Sequence, residues 1–95
     1  MAAYLVATVD VTDPVGYEEY TTHVPAPIAA YGGRYLTRAG ATDVLEGDWA
    51  PKRVVILEFP NMAQLEAWYD SAEYRPLLEI RRRTAQSRVV AIEGL

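Results

Sequence analysis

Residues Arg53–Arg81 read RVVILEFPNMAQLEAWYDSAEYRPLLEIR, and the order of elements within them decides the fold. The run opens as a strand. Val54 and Ile56 fall on one face and Val55, Leu57 and Phe59 on the other, so both faces are apolar and both need cover. Glu58 is the exception, because it shares a face with Val54 and Ile56, where a carboxylate must reach solvent, meet a cation or give up its charge. Pro60 ends the ladder. Asn61 followed by Gln64 has the spacing of a capping box, which predicts a helix from Met62 with Met62, Leu65, Trp68 and Tyr69 as its buried stripe. Asp70-Ser71 stops that helix. Ser71 then caps a second segment with Pro76 in its first turn, where an amide proton would lack a partner anyway. Tyr74, Leu77, Leu78 and Arg81 share one face of it, so a phenol and a guanidinium point the same way two turns apart.

Working back to the start, Ala3–Val11 (AYLVATVDV) is apolar on both alternations until Thr8 and Asp10 and reads as a central strand. Thr12-Asp13-Pro14 supplies a cap and a first-position proline for a helix whose face is Tyr17, Tyr20, Val24, Ile28 and Tyr31. Pro25 and Pro27 predict a break near His23–Val24, and Gly32-Gly33 ends the second piece. Residues Arg34–Glu46 (RYLTRAGATDVLE) read as one long strand bent or bulged at Gly40, with a separate short hairpin as the rival. Gly47–Lys52 turns the chain back, and Arg88–Glu93 (RVVAIE) is a last strand. The order β-α-β-β-α-β is that of an α+β, ferredoxin-like sandwich with an antiparallel sheet, formed as a single domain over residues 1–95. Both helical regions then lie on one face of the sheet. The other face is apolar and bare, and a second copy packing sheet to sheet would hide it, so a homodimer is expected.

Composition narrows the function classes. A chain of 95 residues buries only roughly 65% of the surface it exposes when unfolded, so its core is thin and self-association adds burial. A net charge of −4 weighs against nucleic-acid binding. The arginines Arg81, Arg82, Arg83 and Arg88 are diluted by Glu73, Glu79 and Glu93 and read as a solvated helix end. With no cysteine and a single histidine, thiolate chemistry, disulfides and the usual metal-ligand spacings are all missing, so no metal is expected. No cofactor is expected either, because phosphate-binding loops, dinucleotide fingerprints and nucleophile elbows are absent. No stretch approaches the ~20 apolar residues of a membrane span, and the first residues lack a leader's pattern, so a cytoplasmic protein without membrane partners is expected.

The stretches Tyr31-Gly-Gly-Arg-Tyr-Leu36, Val44-Leu-Glu-Gly47, Pro51–Pro60, Trp68-Tyr-Asp-Ser71, Glu73-Tyr74, Arg81 and Glu93-Gly94 together resemble the bacterial family known as domain of unknown function 1330. The resemblance covers nearly the whole chain. It implies the dimeric α/β-barrel group of ferredoxin-like proteins, with the barrel formed by two subunits. That group also holds cofactor-independent oxygenases, haem-degrading enzymes, muconolactone-isomerase-like enzymes and ligand-binding modules, so the resemblance implies no single activity. His23 and Pro25 fall outside the family pattern.

Three residues are candidate catalytic groups. Tyr74 and Arg81 are expected to converge between helix layer and sheet, where an arginine holds a carboxylate or enolate and a tyrosine donates or shuttles a proton. The competing reading has Arg81 satisfying Glu58 or Glu46 and Tyr74 packed as core. His23, in a helix break facing the sheet, is a candidate base, against the plain reading of a helix-end histidine bonded to a carbonyl. Arg34, Glu58, Trp68 and Ser71 complete the candidate ligand-binding set, while Trp49 in the loop reads as a dimer contact or packing lid. The leading functional reading is a homodimer with one small, mostly apolar pocket per subunit for a small organic acid or aromatic. If it is an enzyme, proton transfer or cofactor-free oxygenation is the favoured chemistry. A non-catalytic dimeric interaction module is the alternative. Haem degradation is a third reading, which a haemin titration tests.

Overall fold

The structure is a computed structural model that describes all residues, Met1–Leu95. The chain runs β1 (Ala3–Val11), α1 (Pro14–His23), α2 (Pro25–Ala30), β2 (Arg34–Arg38), β3 (Val54–Phe59), α3 (Met62–Tyr69), α4 (Arg75–Thr84) and β4 (Ala85–Glu93). The four strands form one sheet in the order β2-β3-β1-β4, every neighbour antiparallel. This is the α+β, ferredoxin-like arrangement expected from the sequence. Extents of 34 × 34 × 16 Å leave room for two layers, sheet and helices, and no third.

Strand parity sets the two faces. Ala3, Leu5, Ala7 and Val9 of β1 are buried, and so are Leu57 and Phe59 opposite them on β3, so this is the helix-covered face. The other set, including Tyr4, Val6, Val54 and Ile56, is only half-buried, and on β4 Val90 and Ile92 are 60% and 57% exposed. The bare apolar face is therefore real in the isolated subunit.

Local chemistry starts and stops the helices largely as expected. The Asp13 carboxylate accepts from Gly16 N at 3.2 Å to cap α1, with Pro14 in its first turn. The chain breaks at Val24, whose amide still reaches Tyr20 O while Pro25 opens α2. Gly32 closes α2 at φ +82°, a conformation that only glycine takes freely, and Gly33 N returns to Ile28 O at 2.9 Å. Gln64 N donates to Asn61 Oδ1 at 2.8 Å at the start of α3. Ser71 Oγ donates to Trp68 O and accepts from Tyr74 N, closing α3 and holding the turn that leads into α4, whose own N-cap Tyr74 has no side-chain cap bond.

Two expected strands have other limits. Residues Arg34–Glu46 do not form one long strand: β2 ends at Arg38, its irregularity lies between Tyr35 and Thr37 and not at Gly40, and Ala39 turns out at φ 60°. The reason is the partner. β3 begins at Val54, so the last backbone bond β2 makes to it is Ala39 N to Val54 O at 2.9 Å; Arg53 O still accepts from Val9 N of β1, and residues 40–52 lie outside the strands. β4 in turn starts at Ala85 and not Arg88, directly after α4. Thr84 O accepts from both Thr12 N and Asp13 N, which ties the helix end to the β1–α1 turn and lays Ala85 opposite Val11.

Candidate functional site

The core under the helices is largely aromatic. Trp68 and Tyr74 are 2% and 1% exposed, with ring centroids 4.2 Å apart, and Phe59, Tyr69 and Tyr20 pack around them at 5.5, 5.7 and 6.3 Å. Between these rings and the sheet lies a small, partly open cavity of about 40 Å³. That is below the about 150 Å³ of a cavity that takes one benzene ring, so a ring enters only if side chains on the wall give way.

Eighteen residues line it, most of them apolar or aromatic. Three are arginines, Arg38 from β2, Arg53 from just before β3 and Arg81 from α4, and none is an aspartate or glutamate. All four ion pairs of the chain lie elsewhere, Arg34–Glu58, Lys52–Asp10, Arg75–Asp70 and Arg82–Glu79. Arg38 is exposed and donates to Thr21 O and Arg53 is half-buried, so the charge inside the cavity is chiefly that of Arg81.

Arg81 is the buried member, 7% exposed. Its Nε donates to the Tyr74 hydroxyl over a long 3.4 Å, and the Tyr74 and Tyr20 hydroxyls are 2.8 Å apart. With Arg81 donating, Tyr74 is free to donate to Tyr20, giving a chain of polarised bonds that ends at the Tyr20 proton. Burial works against the charge of Arg81, and the hydrogen bond to Tyr74 works for it. Burial first, then the adjoining Tyr74 hydroxyl, pushes the Tyr20 phenol far up, so it stays neutral through the physiological range. Burial likewise raises Tyr17 and Tyr35. Around the arginines, Arg53 lies over the Tyr17 ring at 5.4 Å and Arg38 over the Tyr35 ring at 4.9 Å. Three buried polar groups have no partner, Trp68 Nε1, Arg53 Nε and Ser87 Oγ, and the first two belong to residues of the cavity wall. Tyr69, Arg81 and Val89 also border a second, more polar opening toward β4, together with Arg82 and Ser87.

Of the candidate residues, Tyr74, Arg81 and Trp68 come together on the cavity wall. Ser71 does not line it; its hydroxyl serves the α3–α4 junction that holds Trp68 and Tyr74 in place. Arg34 and Glu58 do not line it either. They sit directly opposite one another on β2 and β3 with Arg34 Nε donating to Glu58 Oε1 at 2.7 Å, on the sheet face turned away from the helices. Neither Glu58 nor Glu46 reaches Arg81. His23 does not face the sheet: it is exposed, its Nδ1 is 2.9 Å from Glu19 O, and it borders a shallow outer groove with Pro27 and Leu77. Proline breaks the hydrogen bonding at Val24 without turning the helix face, so the residue before the break keeps pointing outward. No three His, Cys, Asp or Glu side chains gather as a metal site.

Helical spacing presents Tyr17 and Tyr20 as plain core, and Arg38 and Arg53 are not among the candidate residues. A signal for Arg53 existed, since it has the parity of Val55, Leu57 and Phe59 and so faces the helices. For Arg38 there was none, because the irregularity after Tyr35 shifts its parity.

The fold is that of a ferredoxin-like α+β protein, with a small apolar-walled cavity between sheet and helices. The chain belongs to the DUF1330 family, a domain of unknown function, whose model matches residues 2–95. Among solved structures it is similar to RPA0582 of Rhodopseudomonas palustris, a protein of unknown function, at 19% identity and TM-score 0.78 over 99% of this chain and 82% of that one. It is also similar to SnoaB of Streptomyces nogalater, a cofactor-independent oxygenase, at 16% identity and TM-score 0.71 over 99% and 93%. A dimeric ferredoxin-like protein of unknown function from Thermobifida fusca aligns at 16% identity and TM-score 0.67 over 99% and 92%. At these identities the likeness is one of fold. No curated protein matches the sequence, and no helix is long and apolar enough to cross a membrane.

Proposed function

We propose that the chain is one ferredoxin-like domain that works as a homodimer, paired through its bare sheet face, and that each subunit binds a small aromatic or unsaturated organic acid as its anion. The observation that carries the ligand class is the cavity lining: the buried Arg81 with Arg53 beside it, no carboxylate, and aromatic walls around a small space. Arg81 is the proposed anion contact, Tyr74 the group that orients it, and Trp68 both wall and hydrogen-bond donor. The dimer is supported by the exposure of Val90 and Ile92 and by the dimeric neighbour from Thermobifida fusca.

Turnover is the second reading, and the fold-level likeness to the oxygenase SnoaB speaks for it. The positive charge of Arg81 suits an enolate or phenolate. The cavity wall holds neither carboxylate nor imidazole, so the proton would not be taken by an enzyme base of the usual kind.

The test is a titration with benzoate, followed by calorimetry and by Trp68 fluorescence in a Trp49→Phe background, with Arg81→Met beside it. A charge-assisted hydrogen bond of about 1.5–3 kcal/mol corresponds to a loss of roughly 10- to 100-fold in affinity for Arg81→Met. Unchanged binding in a folded Arg81→Met variant removes Arg81 from the site. No binding by the parent protein removes the site itself.

A further inference from the structure

We infer that the cavity acidifies its ligand: it takes weakly acidic phenols or enols and holds them as phenolates or enolates. This rests on the anion-binding reading above and goes further by naming the acid class and what the site does to it.

The first ground is the imbalance of hydrogen-bonding groups. Arg53 and Arg81 bring cationic donors from separate elements and no carboxylate faces them across the cavity, while Arg38 is exposed and gives its guanidinium to Thr21 O. The remaining polar side chains on the wall are hydroxyls. Those of Tyr20 and Tyr74 are bonded to each other, and Tyr20 is held neutral. Glu18 shares an outer groove with Arg53 but is exposed and does not line the cavity.

A second, independent ground is the pair of donors left without acceptors. Trp68 is 2% exposed and its indole N–H has no partner, and the same holds for Arg53 Nε. A buried donor in that state loses free energy that an acceptor atom restores. An occupant with oxygen acceptors is therefore complementary to these donors, and a charged oxygen gains more from Arg81 than a neutral O–H does.

Wall chemistry separates a phenol or enol from a carboxylic acid. The cavity, about 40 Å³, is walled by the rings of Trp68, Tyr69 and Tyr74. An anion whose charge spreads over a conjugated ring loses less hydration on entering such walls than a compact carboxylate does. Ionisation then balances simply: the ligand O–H bond breaks, its electron pair stays on the oxygen facing Arg81, and the proton leaves to bulk water.

The experiment is a spectrophotometric pH titration of 4-nitrophenol, whose phenolate absorbs in the visible, alone and with the protein in excess. The bound phenol is expected to ionise about one pH unit or more lower than the free one, a tenfold or greater preference for the phenolate. In Arg81→Met the shift is expected to shrink to less than half. A bound 4-nitrophenol with unshifted or raised ionisation overturns the inference. So does benzoate binding with no 4-nitrophenol binding, and in both cases the anion-binding reading survives. Failure of benzoate and 4-nitrophenol alike overturns both.

Discussion

Replacing Arg81 with Met is expected to make the unliganded protein more stable while removing its affinity for anions. The residue is 7% exposed, and no carboxylate pairs with it. Confining a guanidinium without a counter-ion costs several kcal/mol, an amount that water in the cavity and at the β4 opening reduces. Against that stands the contact with Tyr74, at 3.4 Å too long to contribute more than about 1 kcal/mol. Met keeps the apolar stem in place, and the 2.8 Å bond between Tyr20 and Tyr74 survives, so no buried hydroxyl loses its last partner. The balance is a gain of about 1 kcal/mol, at the low end of what apolar replacement of buried charge achieves. Urea unfolding at fixed protein concentration measures it as a higher midpoint with unchanged slope, the concentration being held because a dimer's midpoint depends on it. Arg81→Ala is no substitute, since truncation leaves a void. A loss of about 1 kcal/mol or more in Arg81→Met refutes the reasoning, because the arginine would then be holding α4 to its neighbours and not waiting for a ligand.

Two further outcomes follow from geometry and titration. Val90→Glu places a carboxylate on the bare sheet face at a position 60% exposed in one subunit, so the fold survives but the dimer is expected to give way to monomer at micromolar concentration. Sedimentation velocity reads this, and an unaltered dimer would move the interface elsewhere. Tyr20 is held above the ordinary phenol value of 10.0, mainly by burial. Below that value folded and unfolded chains both keep the proton and the contribution is full. Above it the unfolded chain releases a proton that the fold retains, so stability falls with rising pH, by up to about 1.4 kcal/mol per unit for one phenol. Tyr20→Phe is expected to flatten that alkaline decline in urea midpoints taken from pH 9 to 11, and an equally steep decline would show that the burial of this phenol does not matter.

Much of the fold was legible because local chemistry and tertiary packing agree. Asn61 and Gln64 bond as their spacing predicts, Ser71 bridges two helices, and the period-2 pattern of β3 matches its pairing with β1. The errors fall where a partner strand decided the outcome. Ala85-Gln86-Ser87 carries no strand signal of its own, yet it lies opposite Val9–Val11 of a nine-residue β1 and is drawn into the ladder. Residues 40–46 had better strand composition and found no partner.

The site was legible only by halves, and the reason is register. Helical spacing on one element sufficed to align Tyr74 with Arg81, but which arginine meets Glu58 depends on the pairing of β2 with β3. Arg34 stands directly opposite Glu58, and both point away from the helices, so the carboxylate is used up on the outer face. A shift of one residue would send those side chains through the sheet to the other side. The same parity that turns Glu58 outward turns Arg53 inward with Val55 and Leu57. The pairing therefore segregates charge across the sheet, with acid and base matched on one face and base left unmatched on the other. Arg81 keeps its charge without a carboxylate because the fold, not the composition, withholds one. For that reason an acidic chain of net charge −4 encloses a cavity charged by Arg81, and the arginine that looks most like a structural salt bridge in the sequence is the one free to hold a ligand.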